Sequence, residues 1–258
     1  KISKNFCEIN GVGLNGFKYK KNLILDAGNS GTLSRLIMGL LIHSKNKVQL
    51  KGDNSLSKRD FLRVIKPLKK FGANFESNSG KLPIIIKGTN NANPIVFNET
   101  KGSAQVKSSV MLAALNTSGE TIIKAKKSRN HSELLFRHLK LPININRKKN
   151  YDLIKIKGKR KIPALNYKIP SDISSCAFFI VLTILSKNSK LKIRNVNINP
   201  TRVGILNILN MMGVKIQKTN LRKYKGEKVA DLIIQSVKKI KAINCPPKLN
   251  SSAIDEFL

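Results

Sequence analysis

Arg59-Asp60-Phe61-Leu62-Arg63-Val64-Ile65-Lys66-Pro67-Leu68-Lys69-Lys70-Phe71-Gly72-Ala73-Asn74-Phe75 is the stretch from which the fold is read. Leu62, Ile65 and Leu68 recur at helical spacing, so one face of a helix is apolar and must be buried. Gly72 stands where a helix closes on a left-handed residue, and Ala73-Asn74-Phe75 leads into a strand. The same order returns from Arg202 through Ile205, Leu206 and Leu209 to Met212-Gly213-Val214-Lys215-Ile216. It returns again from Arg129 through Leu134, Leu135 and Leu139 to Pro142-Ile143-Asn144-Ile145, with proline in place of the glycine. Self-similarity of this kind marks a fold assembled from repeated supersecondary units.

Outside these three segments the chain keeps alternating short apolar runs with amphipathic helices. Strands are expected around Leu23-Ile24-Leu25, Val48-Gln49-Leu50, Ile84-Ile85-Ile86, Thr121-Ile122-Ile123, Leu153–Ile156, Leu191-Lys192-Ile193 and Leu232-Ile233-Ile234. Helices are expected over Thr32–His43, Asp60–Phe71, Gln105–Leu115, Ser132–Leu139, Ile173–Leu185 and Val203–Met212. The fold class is therefore α/β (α+β). Pro163, Pro170 and Lys159-Arg160-Lys161 interrupt the periodicity and suggest a boundary between Gly158 and Lys168, after an N-terminal portion of three modules.

Hydrophobic residues make up 41% of the 258 and fall in clusters, which is a globular composition rather than a disordered one. The longest apolar run, Cys176 to Leu185, is too short for a bilayer, which needs about 20 residues. No apolar signal core follows Lys1-Ile2-Ser3-Lys4. Cys7, Cys176 and Cys245 are scattered and odd in number, which fits a reducing cytoplasm and no disulfide framework. No CxxC or clustered His/Cys pattern supports a metal site. The formal charge of +35 would attract nucleic acid or draw anionic substrates toward a cleft. Lysine lies on nearly every element and tryptophan is absent, so compositional bias with anion attraction is favoured over a dedicated nucleic-acid reader.

Seven motifs are candidates for chemistry or for capping. Gly28-Asn29-Ser30-Gly31-Thr32 opens an apolar helix with Arg35 one turn in; small residues admit a ligand to the backbone, although the same residues make an ordinary turn and N-cap. Arg35 offers charge, a hydrogen bond or packing. In Gly52-Asp53-Asn54-Ser55-Leu56-Ser57-Lys58-Arg59, an arginine at a strand-to-helix turn suits a carboxylate or phosphate. Ser103-Ala104-Gln105 places a capping hydroxyl beside an amide that both donates and accepts. Ser128-Arg129-Asn130-His131-Ser132-Glu133 suits a phosphate, with His131 a structural hydrogen-bonder. Asp172-Ile173-Ser174-Ser175 and Asn199-Pro200-Thr201-Arg202 are read as capped helix starts. Ile254-Asp255-Glu256 supplies a carboxylate able to accept a proton from a hydroxyl.

Together these motifs, in order and spacing, resemble the 5-enolpyruvylshikimate-3-phosphate synthase family, in the bacterial form often called class II. The resemblance implies the enolpyruvyl transferase fold: two globular domains of repeated βαβαββ units, with residues 1–167 covering most of one and 168–258 part of the other. It implies transfer of the enolpyruvyl group of phosphoenolpyruvate to the 5-hydroxyl of shikimate-3-phosphate, with release of phosphate. Gly31, Arg59 and Gln105 match phosphoenolpyruvate contacts. Ser103, Ala104, Gln105, Ser128 and Arg129 match shikimate-3-phosphate contacts, and Asp255 matches the proton acceptor. The resemblance implies no metal and no organic cofactor, no specific nucleic acid, no membrane, a cytoplasmic location and a monomer when complete. Gly31 keeps the small residue associated with glyphosate-sensitive members. An early Lys-Ser and Arg would precede Lys1 and a later Lys-Glu and Arg cluster, with the proton donor, would follow Leu258, so residues 1–258 alone are expected to be inactive. The alternatives are the sister transferase acting on UDP-N-acetylglucosamine, disfavoured because no cysteine lies in the expected loop, and a basic nucleic-acid-binding module.

Overall fold

The computed structural model describes residues 2–3, 6–14, 17, 19 and 21–256. Lys1, Lys4 and Phe257, which enter the readings of the two ends, lie outside the described residues. The chain divides into two compact units: Lys1–Lys127 with Leu139–Leu165, and Ser128–His138 with Asn166–Leu258.

In the first unit, β1 (Leu23–Asp26) pairs in parallel with β2 (Val48–Lys51). Parallel neighbours need a crossover, supplied here by α1 (Gly31–Leu41). The chain continues through α2 (Asn54–Ser57) and α3 (Leu62–Lys70) to a hairpin of β3 (Asn74–Asn78) and β4 (Lys81–Lys87). Ser79 and Gly80 join the two strands, both at positive φ (50° and 74°), which is the hairpin turn whose twist matches that of the strands. β4 enters between β2 and β3, so the sheet order is β1-β2-β4-β3. Leu82, Ile84 and Ile86 alternate inward along β4, and Val48 and Leu50 do so along β2.

A second copy follows with the same order. β5 (Val96–Glu99) and β6 (Glu120–Lys126) pair in parallel across α4 (Ala104–Leu115). β7 (Ile143–Arg147) and β8 (Tyr151–Lys157) complete a β5-β6-β8-β7 sheet. Two four-stranded sheets of the same strand order thus occupy the chain up to Lys157. α4 is buried on nearly every side, through Val106, Ser109, Val110, Met111 and Ala113, as a helix enclosed by its neighbours must be. It packs on α1 at closest range: a β-carbon on Gly39 would lie 2.1 Å from the Ser109 carbonyl oxygen.

In the second unit, α5 (His131–His138) lies against β11 (Glu227–Gln235). Its left-handed closing residue is Lys140 (φ 53°), rather than the proline at 142 suggested by the repeat. Gly72 and Gly213 do take positive φ, 103° and 89°. The sheet order is β10-β11-β9, with β9 Lys190–Asn197 and β10 Gln217–Tyr224. Ser171 bridges in parallel to Val196 of β9, at the place a first strand takes in the other sheets. α6 (Ile173–Leu185) and α7 (Gly204–Met211) cover the sheet with Ile180, Ile184, Leu206 and Leu209, packed with Leu232 and Ile234. The other face of α6 leaves Phe178 69% exposed, with Phe179, Leu182 and Leu185 exposed beside it. A short helix α8 (Asn250–Ala253) and a 3-10 turn at Ile254–Glu256 end the described chain. Among the described residues no helix is long and apolar enough to cross a membrane.

Two expectations follow from the first unit. Gly39→Ala forces α1 from α4 and lowers stability by about 1–3 kcal/mol, the usual effect of overpacking, read as a lower urea midpoint. His43, half-buried with Nε2 3.3 Å from the Thr117 hydroxyl, has its pKa pushed below the ordinary 6.5 by burial first, opposed by the Ala113 backbone and reinforced by the charge of Lys159. Unfolding therefore binds a proton as pH falls past 6.5, and stability declines with it toward the lower folded value. His43→Gln should flatten the fall in Tm between about pH 7.5 and 5.5; an unchanged slope would locate the pH dependence elsewhere.

Candidate functional site

The first unit gathers its motifs around the start of α1. Ser30 caps the helix, its Oγ accepting the Leu33 amide at 3.1 Å. Asp53 caps α2 by accepting the Leu56 amide at 2.7 Å, and its other oxygen accepts from Asn29 Nδ2 at 2.6 Å. The Leu56 amide is the main reason the Asp53 carboxyl lies below its ordinary range; slight burial opposes it, and Asn29 adds to it. The Asp53 amide also donates to the Gly28 carbonyl at 2.9 Å. These bonds stitch the turn that carries Gly31 to the turn that opens α2; Arg59 lies past the end of α2, between two helices rather than in the strand-to-helix turn expected for it.

Two guanidinium groups then meet at Gly31. A β-carbon there would lie 2.7 Å from Arg35 Nη1 and 3.2 Å from Arg59 Nη1. Arg35 stacks on Phe61, 5.0 Å from the ring centroid. Its Nη1 donates to the Gly31 carbonyl at 3.2 Å and to Gln105 Oε1 at 2.9 Å. Burial, then the charges of Arg63 and Arg59, lower the pKa of Arg35, with Asp60 opposing. Of the three roles left open for Arg35 in the sequence, it fills all three.

Gln105 stands in the first turn of α4, which Ser103 caps by accepting the Val106 amide at 3.3 Å. With Oε1 on Arg35 and Nε2 donating to Thr32 Oγ1 at 2.8 Å, its amide has one orientation, and among the described residues its second N–H meets no acceptor. Ala104, between cap and glutamine, is the first residue of the helix. The first unit thus brings Gly31, Arg59 and Gln105 together, adds Arg35, and forms a cationic cradle suited to a small dianion or carboxylate.

The second unit holds the other candidates. Arg129 Nη2 donates to Asp255 Oδ2 at 2.5 Å, and half-buried Ser128 precedes it in the chain. Arg202 Nη1 lies 3.7 Å from the same Asp255 oxygen, while its Nη2 donates to Asp172 Oδ1 at 2.8 Å and Ser174 Oγ at 2.5 Å. Asp172 does cap α6 by accepting the Ser175 amide at 3.1 Å, so capping and ion pairing use different oxygens. His131 Nδ1 lies 2.6 Å from Glu227 Oε1. Burial raises the Glu227 pKa, but the hydrogen bond and charge of His131, with the Asn199 and Asn197 amides, outweigh it and hold the carboxyl below its ordinary value. Asn199 donates to Glu227 Oε2 at 3.0 Å and to Asn130 Oδ1 at 2.9 Å. His131 makes a hydrogen bond of the kind its position at a helix start suggested. Glu227 and the Arg202 bridge were not anticipated. Their signal lay only in pairs of residues about 30 to 100 positions apart, which periodicity does not reveal.

Among the described residues no group of three or more His, Cys, Asp or Glu is placed to hold a metal ion.

The family model of EPSP synthase (3-phosphoshikimate 1-carboxyvinyltransferase) matches residues 2–248, a span that stops short of Asp255. The 3-phosphoshikimate 1-carboxyvinyltransferase of Ruthia magnifica is 46% identical over 250 residues, covering 96% of this chain and 56% of that protein. The enzyme of the same name from Endomicrobium trichonymphae is 38% identical over 259 residues, covering the whole of this chain and 59% of its own. An EPSP synthase structure from Acinetobacter baumannii superposes with a TM-score of 0.82 at 36% identity, covering 96% of this chain and 55% of that one. The enolpyruvyl transferase NikO from Streptomyces tendae shares the fold, with a TM-score of 0.57 at 12% identity over 79% of this chain and 47% of its own. The chain spans somewhat over half the length of the curated relatives it matches. On the family match and these identities, the chain belongs to the EPSP synthase family.

Proposed function

We propose that the whole protein transfers the enolpyruvyl group of phosphoenolpyruvate to the 5-hydroxyl of shikimate-3-phosphate and releases phosphate, a reading supported by relatives named 3-phosphoshikimate 1-carboxyvinyltransferase. The observation that carries this reading is the arrangement at Gly31: two guanidinium groups and an oriented glutamine amide around a position with no side chain. That arrangement suits an anion bearing both phosphate and carboxylate, held by charge rather than by a metal.

In this reading Arg59 and Arg35 neutralise phosphoenolpyruvate while Gly31 lets it approach the backbone. Gln105 contributes its remaining N–H, and Ser103, Ala104, Ser128 and Arg129 receive shikimate-3-phosphate. Asp255 takes the proton of the 5-hydroxyl as that oxygen bonds to C2 of phosphoenolpyruvate, and C3 gains a proton. The resulting ketal loses a proton from C3 and expels phosphate, which restores the double bond. Cationic groups stabilise the charge at each stage, and exclusion of water protects the ketal. The protein is read as a cytoplasmic monomer acting on small molecules, without a cofactor.

The test is phosphate release by the full-length protein given both substrates. Release requiring both is expected, and Asp255→Asn should lower kcat by about 10²–10⁴-fold, the usual contribution of a general base. Absence of release from a folded full-length protein would set the reading aside in favour of anion binding alone. Gly31→Ala should raise KM for phosphoenolpyruvate, because the added β-carbon would sit 2.7 Å from Arg35 Nη1 and must displace it. The same variant should be less inhibited by glyphosate than the wild type, read from paired inhibition curves.

A further inference from the structure

In sequence Arg202 reads as the start of a repeated helix, yet it is only 15% exposed and its guanidinium joins three residues from two other segments. Asp172 and Ser174, at the start of α6, accept from Nη2, and Asp255 lies 3.7 Å from Nη1. Ser174 in turn donates its hydroxyl proton to Glu256, the neighbour of Asp255. A second observation concerns Gly204, two residues on. A β-carbon there would lie 2.6 Å from Ser252 Oγ and 2.7 Å from Ala253 Cβ, and Ala253 is fully buried. The first turn of α7 and the segment that carries Asp255 therefore pack as closely as their backbones permit.

Arg129 holds the same carboxylate more tightly, at 2.5 Å, but it is also the cation read as receiving the substrate phosphate. A guanidinium that turns toward a phosphate loosens its hold on Asp255. Arg202 is fixed by Asp172 and Ser174 and keeps its hold. We propose that Arg202 is a positioning residue that keeps Asp255 in its reacting orientation, with Gly204 as the gap into which the Asp255 segment seats. This rests on the reading of Asp255 as proton acceptor. The planar fork of arginine serves two carboxylates and a hydroxyl at once, which a lysine ammonium does with less directional control.

The experiment measures kcat and KM of the full-length protein for both substrates, with Asp255→Asn as reference. Arg202→Met should lower kcat on the order of 100-fold, as expected for a reacting group displaced by about 1 Å, with either KM changed by less than about threefold. Arg202→Lys should recover part of the loss, and Gly204→Ala should show the same kcat-only effect with Arg202 intact. An Arg202→Met enzyme within about threefold of wild-type kcat, beside an inactive Asp255→Asn, would overturn the positioning role and leave Asp255's own role standing. A loss matched by an equal fall in the folded fraction, with no recovery in Arg202→Lys, would also overturn it. If Arg202→Met does not fold, wild-type kcat in both Arg202→Lys and Gly204→Ala overturns it. Full turnover by Asp255→Asn would remove the reading of Asp255 and the positioning role together.

Discussion

The contact of α1 with α4 at Gly39 is the constraint on which the first unit depends. The Ser109 carbonyl occupies the space a side chain would need, so the two helices meet backbone to backbone. Only at that range does Gln105, at the head of α4, reach both Thr32 and Arg35 on the first turn of α1. The cradle around Gly31 is thus a product of helix packing more than of any one motif. Its charge follows the same logic. Arg35 is desolvated among other arginines and is held by stacking on Phe61 and by oxygen acceptors on its guanidinium.

Scarcity of acid organises the second unit. The chain has 49 basic side chains and 14 acidic ones, so a carboxylate is rarely short of donors. Asp231, itself buried, takes the Asn195 amide, Asn220 Nδ2 and the charge of Lys192, which together outweigh its desolvation and lower its pKa. Glu227, 5% exposed, ties His131 and Asn199 into one network. Asp172 links a helix cap to Arg202. At the buried Glu227 and Asp231, removing one partner leaves an uncompensated charge, which destabilises more than the pair itself stabilises. The carboxylates therefore mark the junctions between segments, and Asp255 is one of them.

Much of the secondary structure was legible because its signals are local. Each expected strand and helix is present; helix boundaries shift by at most two residues, the ordinary fraying of element ends, while β9 runs four residues past its expected end and β11 begins five before its expected start. β5 escaped notice altogether, and β10 begins at Gln217, just past the strand entry read at Val214-Lys215-Ile216; most of β10 was missed because it is a polar strand at the edge of its sheet, and polar edges carry no alternation. Its clue was the Lys225-Gly226 turn, both residues at positive φ, as at Ser79-Gly80. Helices are periodic in sequence, but which strand each one returns to is not.

The sequence by itself determined the helices with their caps, the repeat and the motif order that identifies the family, because each depends on residues a few positions apart. Tertiary structure alone decided that Arg35 orients Gln105, that Glu227 anchors His131 and that Arg202 reaches Asp255. These contacts join residues 70, 96 and 53 positions apart along the chain. Spacing within a segment determines which face a side chain takes; its partner is settled only when separate segments pack and leave each buried charge a single place to be satisfied.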